Sequence, residues 1–462
     1  MNLERALADA PRWLFLMVLF CAPLAYGCTR ASTITLLNQA AAVLVVLWLG
    51  GCAWRRRWPA IHWLPVAVIA LLLLQGWWLA WNAHSLNVHR TWLTFNRTWD
   101  FPPLPDWPGA LDRHYAHAAM LNFSALAVLF LFACDLMVRP LWRKRAWATM
   151  ALSALAVAVL GIALKLGGPE WRRLLWDEKV AELPTTFAAY RYHGNAASLM
   201  SLGLALTLGF VVAAAGERGR PARLAAWAGV ALLVLAGLFL NNSRAGWALA
   251  VLLTLAVAGR FGWSWWHTRR MLVDWRVVGI QAAVLLVVAG ILLGVGMQMD
   301  WREKLGRFHS AAETLRERYP SKVYRELASE TGWLGYGADC FQVALPPYME
   351  IHGLATEKYG FWRHAHNDYY EYLANWGWWG LGLWAVLIGG GLRLNWREHF
   401  SSPPRWGSTQ WALGFTGCLG MGAMLLHSLW DFPLEKASIL LFFLTLTADG
   451  WARGQPPAEK SA

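Results

Sequence analysis

Between Trp362 and Glu371 the chain reads Trp-Arg-His-Ala-His-Asn-Asp-Tyr-Tyr-Glu, which sets two imidazoles, an amide and two carboxylates within eight residues. A histidine, with an ordinary pKa of about 6.5, can take a proton at neutral pH. Asp368 followed three residues later by Glu371 reads as a capping box. That places His366 just ahead of a helix N-terminus, where free amides and the helix dipole favour an anion. His366 therefore reads as a general base, with His364 and Asn367 beside it for substrate. The same residues also fit two blander readings: interfacial polar side chains, or a metal site made by His364, His366 and Asp368.

Three other stretches carry similar chemistry. Asn241-Asn242-Ser243-Arg244-Ala245-Gly246 puts a guanidinium in a short turn between two apolar blocks. Its planar fork suits bidentate contact with phosphate. Tyr190-Arg191-Tyr192-His193-Gly194-Asn195 offers a second guanidinium, although arginine beside tyrosine is also common anchoring chemistry. Gly332-Trp333-Leu334-Gly335-Tyr336-Gly337 follows Arg316, Arg318, Lys322 and Arg325. It lacks the strand and helix context of a dinucleotide site and reads as a tight turn.

The elements that position these residues follow from composition. Of 462 residues, 57% are hydrophobic and 15% charged, against roughly 45–50% and about 25% in soluble domains. A soluble multi-domain enzyme is excluded. The apolar residues gather into blocks near the length of about 20 residues that a bilayer-crossing helix needs. Twelve spans are predicted, near 13–27, 34–53, 62–81, 117–137, 147–165, 194–215, 222–240, 244–262, 275–297, 373–392, 409–427 and 434–451. The expected fold is an all-α polytopic membrane protein, 1–462 as a single transmembrane domain, with a large helical loop at 298–371 and a disordered tail at 454–462.

A net charge of +13 raises the question of nucleic acid. The cations answer it by their placement. Arg55 to Arg57, Arg139, Arg143 to Arg145, Arg218, Arg220, Arg223, Arg260, Arg269, Arg270, Arg276, Arg393, Arg397 and Arg405 fall in loops of one parity. The short loops of the other parity hold only Arg30, Arg244 and Lys436. The positive-inside rule then puts both termini in the cytoplasm, and the basicity reads as topology with no nucleic-acid partner. The six cysteines show no CxxC and no metal-ligand spacing, so neither a disulfide framework, a metal nor a cofactor is expected. Arg5 and Arg12 precede a first span that reads as an uncleaved signal anchor.

Three outer segments, 82–116, 166–193 and 298–371, exceed plain connectors. The first is rich in Trp and Pro and reads as an irregular interfacial loop. In the third, His309 to Arg318 and Ser321 to Glu330 read as two short helices broken at Pro320. The charge pattern, set by the cations of the inner loops, none of which belongs to the four candidate motifs, puts all of them on this one side. Arginines, a histidine and a helix N-terminus beside hydrocarbon suit a substrate with an anionic head and a lipid tail.

At these residues the chain resembles the O-antigen ligase and polymerase superfamily of bacterial envelope glycosyltransferases. The resemblance rests on His366-Asn367 followed by Gly377 and Gly380, on Ser243-Arg244 opening a span, and on Arg191 to Asn195. Gly335-Tyr336-Gly337 and the stretch His427 to Leu434 complete it. It covers roughly residues 185 to 450. It implies twelve helices with a large periplasmic loop between spans nine and ten, in the bacterial inner membrane. It further implies inverting, metal-independent transfer of a glycan from undecaprenyl diphosphate to a sugar hydroxyl.

On that resemblance His366 is the base, and Arg244 holds the diphosphate and the charge growing on the leaving group. Arg191 and a loop arginine, Arg318 in preference to Arg325, assist, with Tyr336 in the substrate-binding set. The acceptor stays open between lipid A core, a growing glycan and protein; the absence of an extra C-terminal domain favours ligase or polymerase over protein glycosylation. The rival class is a lipid-linked sugar transporter or flippase. Such proteins carry repeated halves with charges near the midplane, whereas the polar residues here gather at one face.

Overall fold

The computed structural model describes residues 3–90, 95–99, 102–183, 185–217, 220–268, 321–353, 363–400 and 408–454. Helices run as α1 Leu3–Leu24, α2 Ala31–Trp54, α3 Trp63–Trp81, α4 Arg113–Met137 and α5 Pro140–Leu166, then two short ones, α6 Gly168–Arg172 and α7 Glu178–Ala181. They continue as α8 His193–Ala215, α9 Pro221–Leu240, α10 Arg244–Thr268, α11 Ser321–Glu330, α12 Phe341–Ile351, α13 Asp368–Phe400, α14 Thr409–His427 and α15 Ala437–Arg453. Helices overlie eleven of the twelve expected spans; the segment 275–297 lies outside the described residues, as do 309–318 and the tail. By length and composition, seven of them, α2 to α5 and α8 to α10, can cross a membrane.

Local chemistry sets several of these boundaries. Proline stands at the first position of α5 and α9, where its missing amide costs no helical bond. Asp112 caps α4 by accepting from Tyr115 N at 3.0 Å, and Ser408 caps α14 through Trp411 N.

One segment departs from the sequence expectation. Instead of a wholly irregular loop, the first outer segment contains an antiparallel hairpin, β1 Ser85–Arg90 with β2 Phe95–Trp99, in which Val88 faces Arg97 and His89 faces Asn96. The Trp and Pro content had masked the alternation that marks a strand. The segment 166–193 is likewise ordered, by α6, α7 and a bridge in which Phe187 and Tyr190 exchange both backbone hydrogen bonds at 2.9 Å.

Two helices form the axis of the bundle. α8 is lined with Gly, Ala and Ser and packs against α5, α9, α10 and α14. Between helices in lipid there is no hydrophobic drive to associate, so close backbone approach through small residues supplies the cohesion. A methyl added at Gly203 would come within 2.1 Å of Ala154 Cβ, and one at Gly209 within 2.4 Å of Thr416 Oγ1. α15 is buried from Ala437 to Ala452 and packs against α4 and α13. At its far end Asp449 pairs with Arg143 at 3.2 Å and Arg453 at 3.2 Å, while Arg453 also meets Glu398 at 2.8 Å. These ion pairs join α5, α13 and α15 at the end of the bundle away from His366.

α13 is a broken helix. Gly377 has φ 66° and ψ −175°, which no helical residue adopts. The break is filled by the segment 332–337 running alongside it. Tyr336 N donates to Ala374 O at 2.8 Å and Gly337 N to Asn375 O at 3.1 Å, while Trp379 N donates to Trp333 O at 3.0 Å. Gln75 Nε2 from α3 donates to Trp376 O at 2.6 Å and Leu334 O at 3.0 Å. Every group loosened by the break named here therefore has a partner, as a buried backbone requires.

Candidate active site at one rim of the bundle

α11 and α12 pack an apolar face, Val323, Tyr324 and Leu327 against Phe341, Leu345 and Met349, together with Ala365 and Ala374. That small body backs the turn 363–367. His366 closes the turn in the left-handed region at φ 49°, which side chains other than glycine rarely adopt and which locks its direction.

The helix that follows is capped differently from the expected Asp368 and Glu371 box. Asn367 is the cap: its Oδ1 accepts from Tyr370 N at 3.1 Å, and its Nδ2 donates to Leu429 O at 2.8 Å. Asp368 turns inward, accepting from Ser428 Oγ at 2.6 Å and Leu434 N at 3.1 Å. Glu371 reaches back, accepting from Ala365 N at 2.8 Å. The physical reason is competition: buried Asp368 is worth more to the loop 428–434, and Asn caps as well as Asp. His366 still lies immediately before the helix N-terminus.

Against that turn stands the loop 428–436. His366 Nδ1 lies 3.7 Å from Asp431 Oδ1, and His427 Nε2 lies 3.4 Å from Asp431 Oδ2. The first distance is an electrostatic contact rather than a hydrogen bond, and catalytic contacts often tighten only when substrate is bound. His427 is fully buried and its Nδ1 is 2.9 Å from Ser198 Oγ. Burial alone would raise the Asp431 carboxyl, but the two histidines outweigh it and hold the group well below the usual carboxylate range. Gly194, the second residue of α8, leaves room for this carboxylate; a Cβ there would stand 2.4 Å from Asp431 Oδ2.

Phe432 is the centre of an aromatic wall. Tyr192 stacks on it at 5.5 Å and 10°, His364 stacks at 4.4 Å and 15°, and His366 meets it edge-on at 4.6 Å. His364 is held on both sides, with Nδ1 2.7 Å from Glu371 Oε1 and Nε2 2.8 Å from Lys436 Nζ. Burial first, and then Lys436, push the His364 imidazole well below its ordinary value, so it is neutral, donating to Glu371 and accepting from the ammonium. Among the described residues His364, Glu371 and Glu435 are close enough to share a metal ion. Lys436 supplies a positive charge at that cluster.

Arg191 is exposed and follows Tyr190, whose buried ring is anchored by a contact of 3.1 Å between its hydroxyl and Ser438 Oγ. Arg244 is half-buried as the first residue of α10. Ser243 caps that helix through Gly246 N at 3.1 Å, Asn241 Nδ2 donates to His193 O at 2.9 Å, and Gly246 packs on Ala197. Because Gly194 adjoins Asp431, these contacts bring the Arg244 turn, the Arg191 stretch and the His366 turn to one end of the bundle. The N-termini of α8, α10, α13 and α15 lie there too, adding favourable dipole ends for an anion.

Arg318 lies outside the described residues, and Arg325 is exposed on α11. Tyr336 is half-buried, with its hydroxyl 3.3 Å from that of Tyr348, and Gly335 and Gly337 serve the join at Gly377. The sequence reading gave no role to Asp431, His427, Ser198 or Phe432. The available signal was the spacing of four between His427 and Asp431 beside a helix end.

Fold and site together define an integral-membrane protein with a polar, histidine- and arginine-bearing site at one rim of a helix bundle. Residues 229–385 match the family model described as O-Antigen ligase, and this match supports the O-antigen ligase and polymerase superfamily of membrane glycosyltransferases. The matched stretch contains Arg244, Tyr336, His364 and His366, and leaves Arg191, His427 and Asp431 outside it. No curated protein matches the chain.

Proposed function

We propose that this protein transfers a glycan from undecaprenyl diphosphate to a sugar hydroxyl at the periplasmic face, inverting the anomeric carbon without a metal. The observation that carries the reading is the His366, Asp431 and His427 cluster at the rim where four helix N-termini and the Arg244 turn converge. Nδ1 of His366 faces Asp431, so Nε2 takes the proton of the acceptor hydroxyl as its oxygen attacks C1. The ionised Asp431 holds the imidazole in that orientation and stabilises the imidazolium that forms. Arg244 and Arg191 bind the diphosphate, with Arg318 as the loop partner, and the charge that leaves with it meets the guanidinium fork and the helix dipoles. His364, Asn367 and Tyr336 complete the substrate-binding set, His364 from the aromatic wall and Asn367 from the helix cap.

An O-antigen ligase is the first form of this activity, and a polymerase of the same superfamily is the second. Deleting the gene tests the reading and separates the two. Envelope glycan left unattached to lipid A core identifies a ligase, and glycan shortened to one unit identifies a polymerase. Unchanged envelope glycan, or accumulation of donor on the cytoplasmic leaflet as a transporter would give, would overturn it.

Arg244→Lys keeps the charge and loses the bidentate fork. Transfer measured in membranes supplied with donor and acceptor is expected to fall about tenfold or more, the loss centred on turnover rather than on membrane insertion. Normal turnover in that variant would remove the bidentate role.

A further inference from the structure

At the opposite end of the bundle, α1, α2, α4 and the chain between α2 and α3 enclose a cavity of about 140 Å³, lined by Arg12, Arg55, Arg57 and Arg139 with Asp135 as the one carboxylate. Trp48, Trp58 and Phe132 supply its apolar wall. The four guanidiniums come from three separate stretches of chain, so their meeting is a property of the fold.

Asp135 is occupied in building the walls. Its oxygens accept from Trp48 Nε1 at 3.1 Å and Ala60 N at 3.0 Å, and Arg139 Nη1 stands 3.4 Å away. Arg12 is held by Asp9 at 2.5 Å and lies within electrostatic reach of both Arg139 and Asp135. The four guanidiniums of the lining thus outnumber its one carboxylate, and with Asp9 set against Arg12 two positive charges remain in excess.

The turn that presents Arg55 and Arg57 is a Schellman motif closing α2. Arg57 N donates to Cys52 O at 3.0 Å and Arg56 N to Ala53 O at 3.0 Å, with Arg56 at φ 50° in the position glycine usually takes. The reversal brings Arg55 and Arg57 into the lining while Arg56 stays out of it. Trp54 and Trp58 are exposed, at 85% and 95%, beside the opening. Exposed indoles at a helix end lie at the headgroup level of a bilayer.

We infer that this cavity is a binding site for the phosphate of an anionic membrane lipid, which lies with its headgroup among the four guanidiniums and its chains along α2. The volume admits a headgroup and is well below the roughly 300–1,000 Å³ of sites that enclose whole small molecules. Arginine forks match phosphate oxygens, and basic pockets between helices at this level hold anionic headgroups. The site is separate from the rim that carries His366.

The test uses the purified full-length chain in detergent, stripped of lipid, with thermal midpoints followed as phosphatidylglycerol, phosphatidylethanolamine or sodium phosphate is added. Phosphatidylglycerol should stabilise the protein at far lower concentration than either of the others. Because Arg55 and Arg57 are exposed, Arg55→Gln with Arg57→Gln should leave the fold intact and weaken the response to phosphatidylglycerol about tenfold or more. Arg57→Gln alone should weaken the response about fivefold, whereas Arg56→Gln, which removes one charge outside the lining, should change it less than about twofold. Equal losses from the Arg56 and Arg57 single substitutions would mean diffuse surface attraction and overturn the site. So would an unaltered response in the double variant. Sodium phosphate acting as well as the lipid would overturn the lipid as its source.

Discussion

His366→Ala is expected to lower glycan transfer by roughly 10²–10⁴-fold, the range a positioned general base contributes. The protein should still insert in the membrane and bind lipid-linked donor, because the packing of the site rests on Phe432, Asp368 and Glu371 rather than on the His366 ring. Transfer is read in membranes given donor and acceptor, beside a donor-binding measurement on the same preparation. Full activity in this variant would end the proposed mechanism.

A companion variant, Asp431→Asn, keeps the shape and removes the charge that faces His366 at 3.7 Å. It should lose turnover more than donor binding, because a neutral amide neither orients the imidazole as firmly nor stabilises the imidazolium formed in the transfer step. A merely structural Asp431 would lower donor binding and turnover together.

Gly377→Ala should destabilise the folded protein by about 4 kcal/mol, placing it among the rare severe substitutions. Two costs combine. The backbone at φ 66° and ψ −175° belongs to glycine almost alone, which costs roughly 1–3 kcal/mol. A methyl there would also stand 2.3 Å from Trp333 O and 2.4 Å from Gly335 N, main-chain atoms that cannot swing aside. Gly382 on the same helix has nothing within 4 Å of a built Cβ, so Gly382→Ala is the matched control and should change stability by less than about 1 kcal/mol. Reversible unfolding of the purified chain measures both, and a Gly377 variant as stable as its control would contradict the account of the break.

The helices were legible because a bilayer imposes a length. α2, α8 and α9 begin and end within about three residues of the spans drawn from apolar blocks and flanking arginines. The placement of Arg244 at the start of α10 was legible for the same reason. What could not be read were relations between distant stretches. Asp431 meets His366 across 65 positions of sequence, and local spacing carries no trace of that meeting. Gly335 and Gly337 read correctly as a turn, but their partner at Gly377 is set by backbone bonds that no side-chain pattern announces. At the cap, Asn367 and Asp368 are chemically equivalent candidates, and the outcome was decided by Ser428 and Leu434 from another loop.

The join between 332–337 and the gap in α13 is made almost wholly by peptide groups. Side chains that point away from the seam, such as Trp333 at 75% exposure, are thus free to diverge, whereas Gly335 and Gly377 have no room for a Cβ. Adding or deleting a single residue is another matter, because it would slide every amide past its carbonyl and unfasten the body built by α11 and α12 from α13.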